Sequence, residues 1–99
     1  MDNKSIIIQI QQRLQFLHPI SIEIDDESRH HRGHAGAMHG GHFKLTVVAD
    51  CFKGQNMLAR HRTVYQALGD LMKTSIHALA IYAFTAEEAL FQTTRKGTE

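Results

Sequence analysis

The chain carries one cysteine, one proline, no tryptophan and almost no net charge, and each scarcity excludes something. A single thiol, Cys51, closes no intramolecular disulfide, so a reducing, cytoplasmic setting is expected and covalent stapling is not. Eleven Lys and Arg against ten Asp and Glu leave +1, too weak a field to hold nucleic acid or an anionic membrane without local clustering. The N-terminus shows neither a basic leader nor an uninterrupted apolar run long enough to insert, so no membrane partner is expected. Also missing are a Gly-x-Ser-x-Gly elbow, a phosphate-binding glycine loop and a His-Glu-x-x-His helix, so the isolated chain is expected not to be an enzyme. What remains is a 99-residue sequence, 42% hydrophobic and 21% charged, the range of one globular domain that folds without a cofactor. Histidine is the abundant chemistry: eight in all, five of them between His30 and His42.

Ile6, Ile7, Ile10, Leu14 and Leu17 recur at spacings of three and four, predicting an opening helix capped by Asp2 or Asn3 and ended by Pro19. Ile20, Ile22 and Ile24 then alternate with polar residues, the period of a half-buried strand. Residues 26–41 have no apolar period and hold four of the seven glycines with the histidine cluster, so they read as a mobile loop. Alternation resumes at His42 with Phe43, Leu45, Val47 and Ala49 on one side, predicting a second strand antiparallel to the first. After a turn at residues 52–56, apolar residues from Met57 to Met72 recur at helical spacing, predicting a short helical turn and a longer helix to about Lys73. Residues 75–84 are apolar on both faces, as expected of a central strand. Thr85 and Glu88 match a capping box for a last helix, and residues 95–99 are expected to fray. One domain over residues 1–94 follows, with the order αββ, α-α, βα. The predicted fold class is α+β of the class II KH-like kind, a mixed three-stranded sheet packed by helices on one side.

Four ordered motifs carry a resemblance: His42-Phe43-Lys44-Leu45, Phe52-Lys53-Gly54, Arg60-His61-Arg62-Thr63-Val64-Tyr65 and Ile76-His77-Ala78-Leu79-Ala80-Ile81. With Asp26-Glu27-Ser28 ahead of a His-bearing loop, they resemble the BolA family over nearly the whole chain. The resemblance implies an adaptor that forms a heterodimer with a monothiol glutaredoxin and shares a [2Fe-2S] cluster with it and glutathione, in iron-sulfur trafficking or iron and redox regulation. It further implies that His77 is one metal ligand and that a loop residue supplies the other, His34 by counting back from His42 or His31 by counting forward from Asp26. Some bacterial members are described as transcriptional regulators linked to stress and cell shape, which makes weak DNA binding through the helix-turn-helix-like segment the second expectation. A homodimer of the apo chain is a further expectation.

Each site residue has a plainer reading. By its parity with Leu79 and Ile81, His77 reads as a core histidine bonded to backbone. His34 reads as a solvated loop residue, and His30, His31 and His39 as solvated side chains with weak metal affinity. Lys53, Arg60 and Arg62 form a local basic patch for nucleic acid or a partner, or else a solvated helix face. His61 falls on the apolar side of its helix and reads as structural. Cys51 reads as a buried, inert thiol. A Gly-x-x-Gly clamp of RNA-binding KH domains is missing from the helix-helix turn, which runs Gly54-Gln55-Asn56-Met57.

Overall fold

The computed structural model describes residues 3–27 and 41–97, with side chains as far as Phe91. In chain order the elements are α1 (Asn3–Arg13), β1 (Ser21–Asp26), β2 (Gly41–Val48), α2 (Met57–Leu68), α3 (Leu71–Thr74), β3 (Ile76–Phe84) and α4 (Ala86–Gly97). The sheet order is β1-β2-β3, antiparallel between β1 and β2 and parallel between β2 and β3. A parallel neighbour needs a crossover, and α2 and α3 supply it. Three-residue turns of 3-10 helix at Gln15–Leu17 and Asp50–Phe52 link the larger elements.

The alternation in the strands sorts residues onto two faces. Phe43, Leu45 and Val47 of β2 pair with Leu79, Ile81 and Ala83 of β3, and Ile22 and Ile24 of β1 flank them. Against this face pack Ile6, Ile10, Leu14 and Leu17 from the first helical segment, Val64 and Leu68 of α2, and Leu71 of α3, forming one core. The opposite face carries Glu23, Asp25, His42, Lys44, Thr46, Ala78, Ala80 and Tyr82, and the Lys44 ammonium lies 5.3 Å from the Tyr82 ring centroid.

Several expectations need correction. The central strand is β2, not residues 75–84: the crossover returns the chain to the free side of β2, leaving β3 at an edge with Ala78, Ala80 and Tyr82 exposed. The long helix precedes the short one, because Gly69 adopts φ +53°, a conformation that costs other residues strain, and divides α2 from α3. Arg13 of α1 fixes this break, its guanidinium donating to the Leu68 carbonyl at 3.0 Å and to Asp70 at 3.1 Å. Strand pairing extends to Asp26 and Gly41, inside the range expected to be loop, and α4 continues to Gly97, past the expected boundary at residue 94. The capping box is present as expected: Thr85 N–H donates to Glu88 Oε1 at 2.9 Å, and Glu88 N–H to Thr85 Oγ1 at 3.2 Å. Among the described residues no helix is long and apolar enough to cross a membrane.

Candidate functional site

The start of β3 breaks the two-residue period. Gly41 pairs with Ile76 and His42 with Ala78, so β2 advances one residue while β3 advances two. His77 is the extra residue of a β-bulge. Without it, His77 would share the core face of Leu79 and Ile81. With it, Ile76 is buried, Leu79 and Ile81 face the core, and His77 is exposed. The core-histidine reading therefore fails, and the reason is a register shift that residue spacing does not encode.

Beside it, His42 of β2 lies on the face opposite the core, half-buried, and its ring centroid is 4.8 Å from that of His77 with planes tilted by 41°. Small neighbours leave room around the pair, since Ala78 and Ala80 are both exposed. Gly41 contributes by what it lacks: a Cβ there would overlap the Phe43 ring, which covers the end of β2 next to the bulge.

His34 and His31 lie outside the described residues. The residues bracketing their segment are fixed at this same corner, for Glu27 N–H donates to the His42 carbonyl at 2.7 Å and Gly41 N–H to the Ser75 carbonyl at 3.2 Å. At about 3.3 Å of reach per residue, either histidine is within chain length of the His42–His77 pair.

The donor set suits a borderline metal such as iron or zinc, because neutral imidazole ligates without added charge. Among the described residues no three His, Cys, Asp or Glu side chains cluster closely enough to hold an ion. The described residues alone would therefore leave any ion at this corner short of ligands. That is compatible with a shared iron-sulfur cluster, whose remaining ligands are ordinarily thiolates.

The basic patch is divided by the fold. Arg60, expected at the surface, is 7% exposed. Its Nε donates to the Gln55 carbonyl at 2.8 Å, Nη1 to the Ala83 carbonyl at 2.9 Å, and Nη1 and Nη2 to the two Glu88 carboxylate oxygens at 2.6 and 3.1 Å. This guanidinium joins α2, β3 and α4. Arg60, Val64 and Leu68 stand four residues apart, so the spacing that marks the inner helix face includes the arginine. Lys53 and Arg62 are exposed, as are Met57 and Leu58. The Arg60 side chain and the Thr85 N–H hold the Glu88 carboxyl well below its ordinary value, at about 2.

Cys51 also departs from expectation, being exposed rather than buried. Partial desolvation pushes its pKa up, a backbone hydrogen bond opposes this less strongly, and the Asp50 carboxylate adds the smallest upward push, so the thiol is favoured over the thiolate. It follows the far end of β2 from His42, about 20 Å along the strand, and takes no part in the histidine corner. His42 was missed by sequence reasoning because an alternating strand assigns it merely to the polar face; only the pairing with β3 brings it to His77.

Comparison with known proteins agrees with this architecture. The family described as BolA-like protein matches residues 12–88. The chain is 40% identical over 70 residues to the DNA-binding transcriptional regulator BolA of Escherichia coli, a match covering 71% of this chain and 65% of that protein. It is also 40% identical over 79 residues to SufE-like protein 1 of Arabidopsis thaliana, covering 73% of this chain and 21% of the relative. The matched stretch thus spans less than two thirds of either relative. Among solved structures, the BolA domain of SufE1 from Arabidopsis thaliana superposes with a TM-score of 0.73 at 36% identity, covering 89% of this chain and 98% of that one. The solution structure of BolA1 from Mus musculus gives 0.74 at 32% identity, covering 89% and 71%.

Proposed function

The chain belongs to the BolA family, and from that premise we propose that it is a non-enzymatic adaptor that docks on a monothiol glutaredoxin and co-ligates a bridging [2Fe-2S] cluster. His77 is the ligand on the sheet, and a histidine of the 28–40 segment is the second, His34 before His31. The observation that supports this reading is the exposed position of His77: the bulge turns its imidazole out of the core, beside the two residues from which that segment departs and returns. Glutaredoxin and glutathione thiolates complete the donor set. When bound, such a cluster has a raised reduction potential and a protonation-sensitive attachment on its histidine side, which suits transfer over storage. The chain's own residues present the imidazole, hold it by strand pairing, and leave the approach open through Ala78 and Ala80.

The test mixes the chain with a monothiol glutaredoxin, glutathione, iron and sulfide. A heterodimer is expected whose visible absorption and circular dichroism differ from those of the glutaredoxin alone, and His77→Ala is expected to abolish the difference while leaving the far-ultraviolet spectrum intact. A difference that survives His77→Ala unchanged overturns the ligand assignment.

A second reading, DNA-binding regulation, is favoured by the name of the Escherichia coli relative. On this chain it rests on Lys53 and Arg62, since Arg60 is engaged internally.

A further inference from the structure

We infer that the free edge of β3 pairs with the same edge of a second copy of the chain, joining two three-stranded sheets into one across a twofold axis at Ala80. The inference goes beyond the adaptor reading and does not rest on it. β3 is the terminal strand of its sheet and is nine residues long. Backbone groups along a strand point alternately to its two sides. The Phe84 carbonyl accepts from Ala49 N–H at 2.9 Å on the β2 side, so the alternation turns the N–H and C=O groups of Leu79, Ile81 and Ala83 outward. The Ala83 carbonyl bears this out, accepting from Arg60 Nη1 at 2.9 Å and not from a strand. That guanidinium blocks one end of the edge, and the His77 bulge ends its regularity at the other. Between them lies the stretch Ala78–Tyr82, whose midpoint is Ala80.

A second copy is the occupant this stretch selects, because the stretch is complementary to itself. Antiparallel pairing about Ala80 sets Leu79 opposite Ile81 of the second copy, and Ile81 opposite its Leu79. Each of these pairs exchanges both N–H···O=C bonds, so the outward groups of both residues are satisfied. Ala78 then faces Tyr82 of the second copy, a small residue against a ring that is 44% exposed. No Asp, Glu, Lys or Arg stands between Ile76 and Phe84. β1, at the opposite edge, is barred from pairing with itself by Glu23, Asp25 and Asp26, which would crowd like charges along the axis. So short a paired stretch buries less than a standard interface, and the dimer is accordingly weak and concentration-dependent.

The experiment uses the full chain. Sedimentation equilibrium is expected to show reversible monomer–dimer exchange, and the Leu79 and Ile81 amide protons to gain exchange protection as concentration rises while those of β1 do not. Ala80→Lys sets two ammonium-bearing side chains opposite one another, about 4.5 Å apart at their Cα atoms, and is expected to weaken association about tenfold with the far-ultraviolet spectrum unchanged. A second measurement does not depend on that variant folding. With Cys51→Ser removing the native thiol, Ala80→Cys is expected to form a disulfide-linked dimer on oxidation with diamide, because residues on the axis fall within the roughly 4.4–6.8 Å between Cα atoms that a disulfide spans. Ala78→Cys in the same background is expected to stay uncross-linked. A chain that is monomeric at every soluble concentration, unchanged association in a folded Ala80→Lys, or equal cross-linking at residues 78 and 80 overturns the pairing. Protection of Leu79 and Ile81 that arises only when a glutaredoxin is added, in a chain monomeric by itself, assigns the edge to a different partner and overturns it as well.

Discussion

The Arg60 guanidinium donates four hydrogen bonds, two to backbone carbonyls and two to one carboxylate. Removing the side chain leaves carbonyls of Gln55 and Ala83 short of a donor and Glu88 short of its cation, so Arg60→Ala is expected to cost about 3 kcal/mol of stability in urea unfolding. Arg62→Ala, two residues away and exposed, is expected to change stability by less than about 0.5 kcal/mol. Equal effects from the two would contradict the assignment. Glu88 adds a pH dependence whose sign is fixed by its depressed pKa. Its contribution is present above the ordinary 4.5 and lost progressively as the pH falls toward about 2. Glu88→Gln is therefore expected to flatten the stability profile between those values, as followed by unfolding at a series of pH.

Among the elements, β3 does most to place the site, because its bulge converts an inward position into an outward one. The neighbouring end of β2 depends on Gly41, whose missing Cβ admits the Phe43 ring. Gly41→Ala must displace that ring from the core, and a loss of about 1–3 kcal/mol is expected, together with altered NMR signals of His42 and His77. An unchanged ring environment would show that this end of the strand does not set the histidine pair. The elements themselves were largely legible: the apolar periods of α1, β1 and β2 and the Thr85–Glu88 capping box correspond to what forms. Strand order was not, since the apolar content of residues 75–84 does not reveal on which side of β2 a parallel strand lands.

For the whole molecule, a net charge of +1 and the internal use of Arg60 leave little field for polyanions. DNA retention through Lys53 and Arg62 is expected to fall steeply with salt, and Lys53→Ala with Arg62→Ala to reduce the slope of log K against log salt by about 2. Retention of one promoter sequence at physiological salt, lost in that double variant, would favour the regulatory reading over the adaptor one; loss alike for every sequence would mark nonspecific contact. The mutual arrangement of the site has the same global origin. Cys51 and His77 are both exposed, yet they lie toward opposite ends of the sheet, so the thiol and the imidazole do not share a centre.

By itself the sequence determined the α+β class, the family and the relative directions of the strands, and it nominated His77 as a candidate, because periodicity, capping and ordered motifs are local properties written into neighbouring residues. Tertiary structure decided which side of β3 His77 occupies, that His42 stands next to it, and that Arg60 belongs to the core. Each of these depends on register between strands or on contact between distant segments, where a shift of one residue exchanges inside for outside.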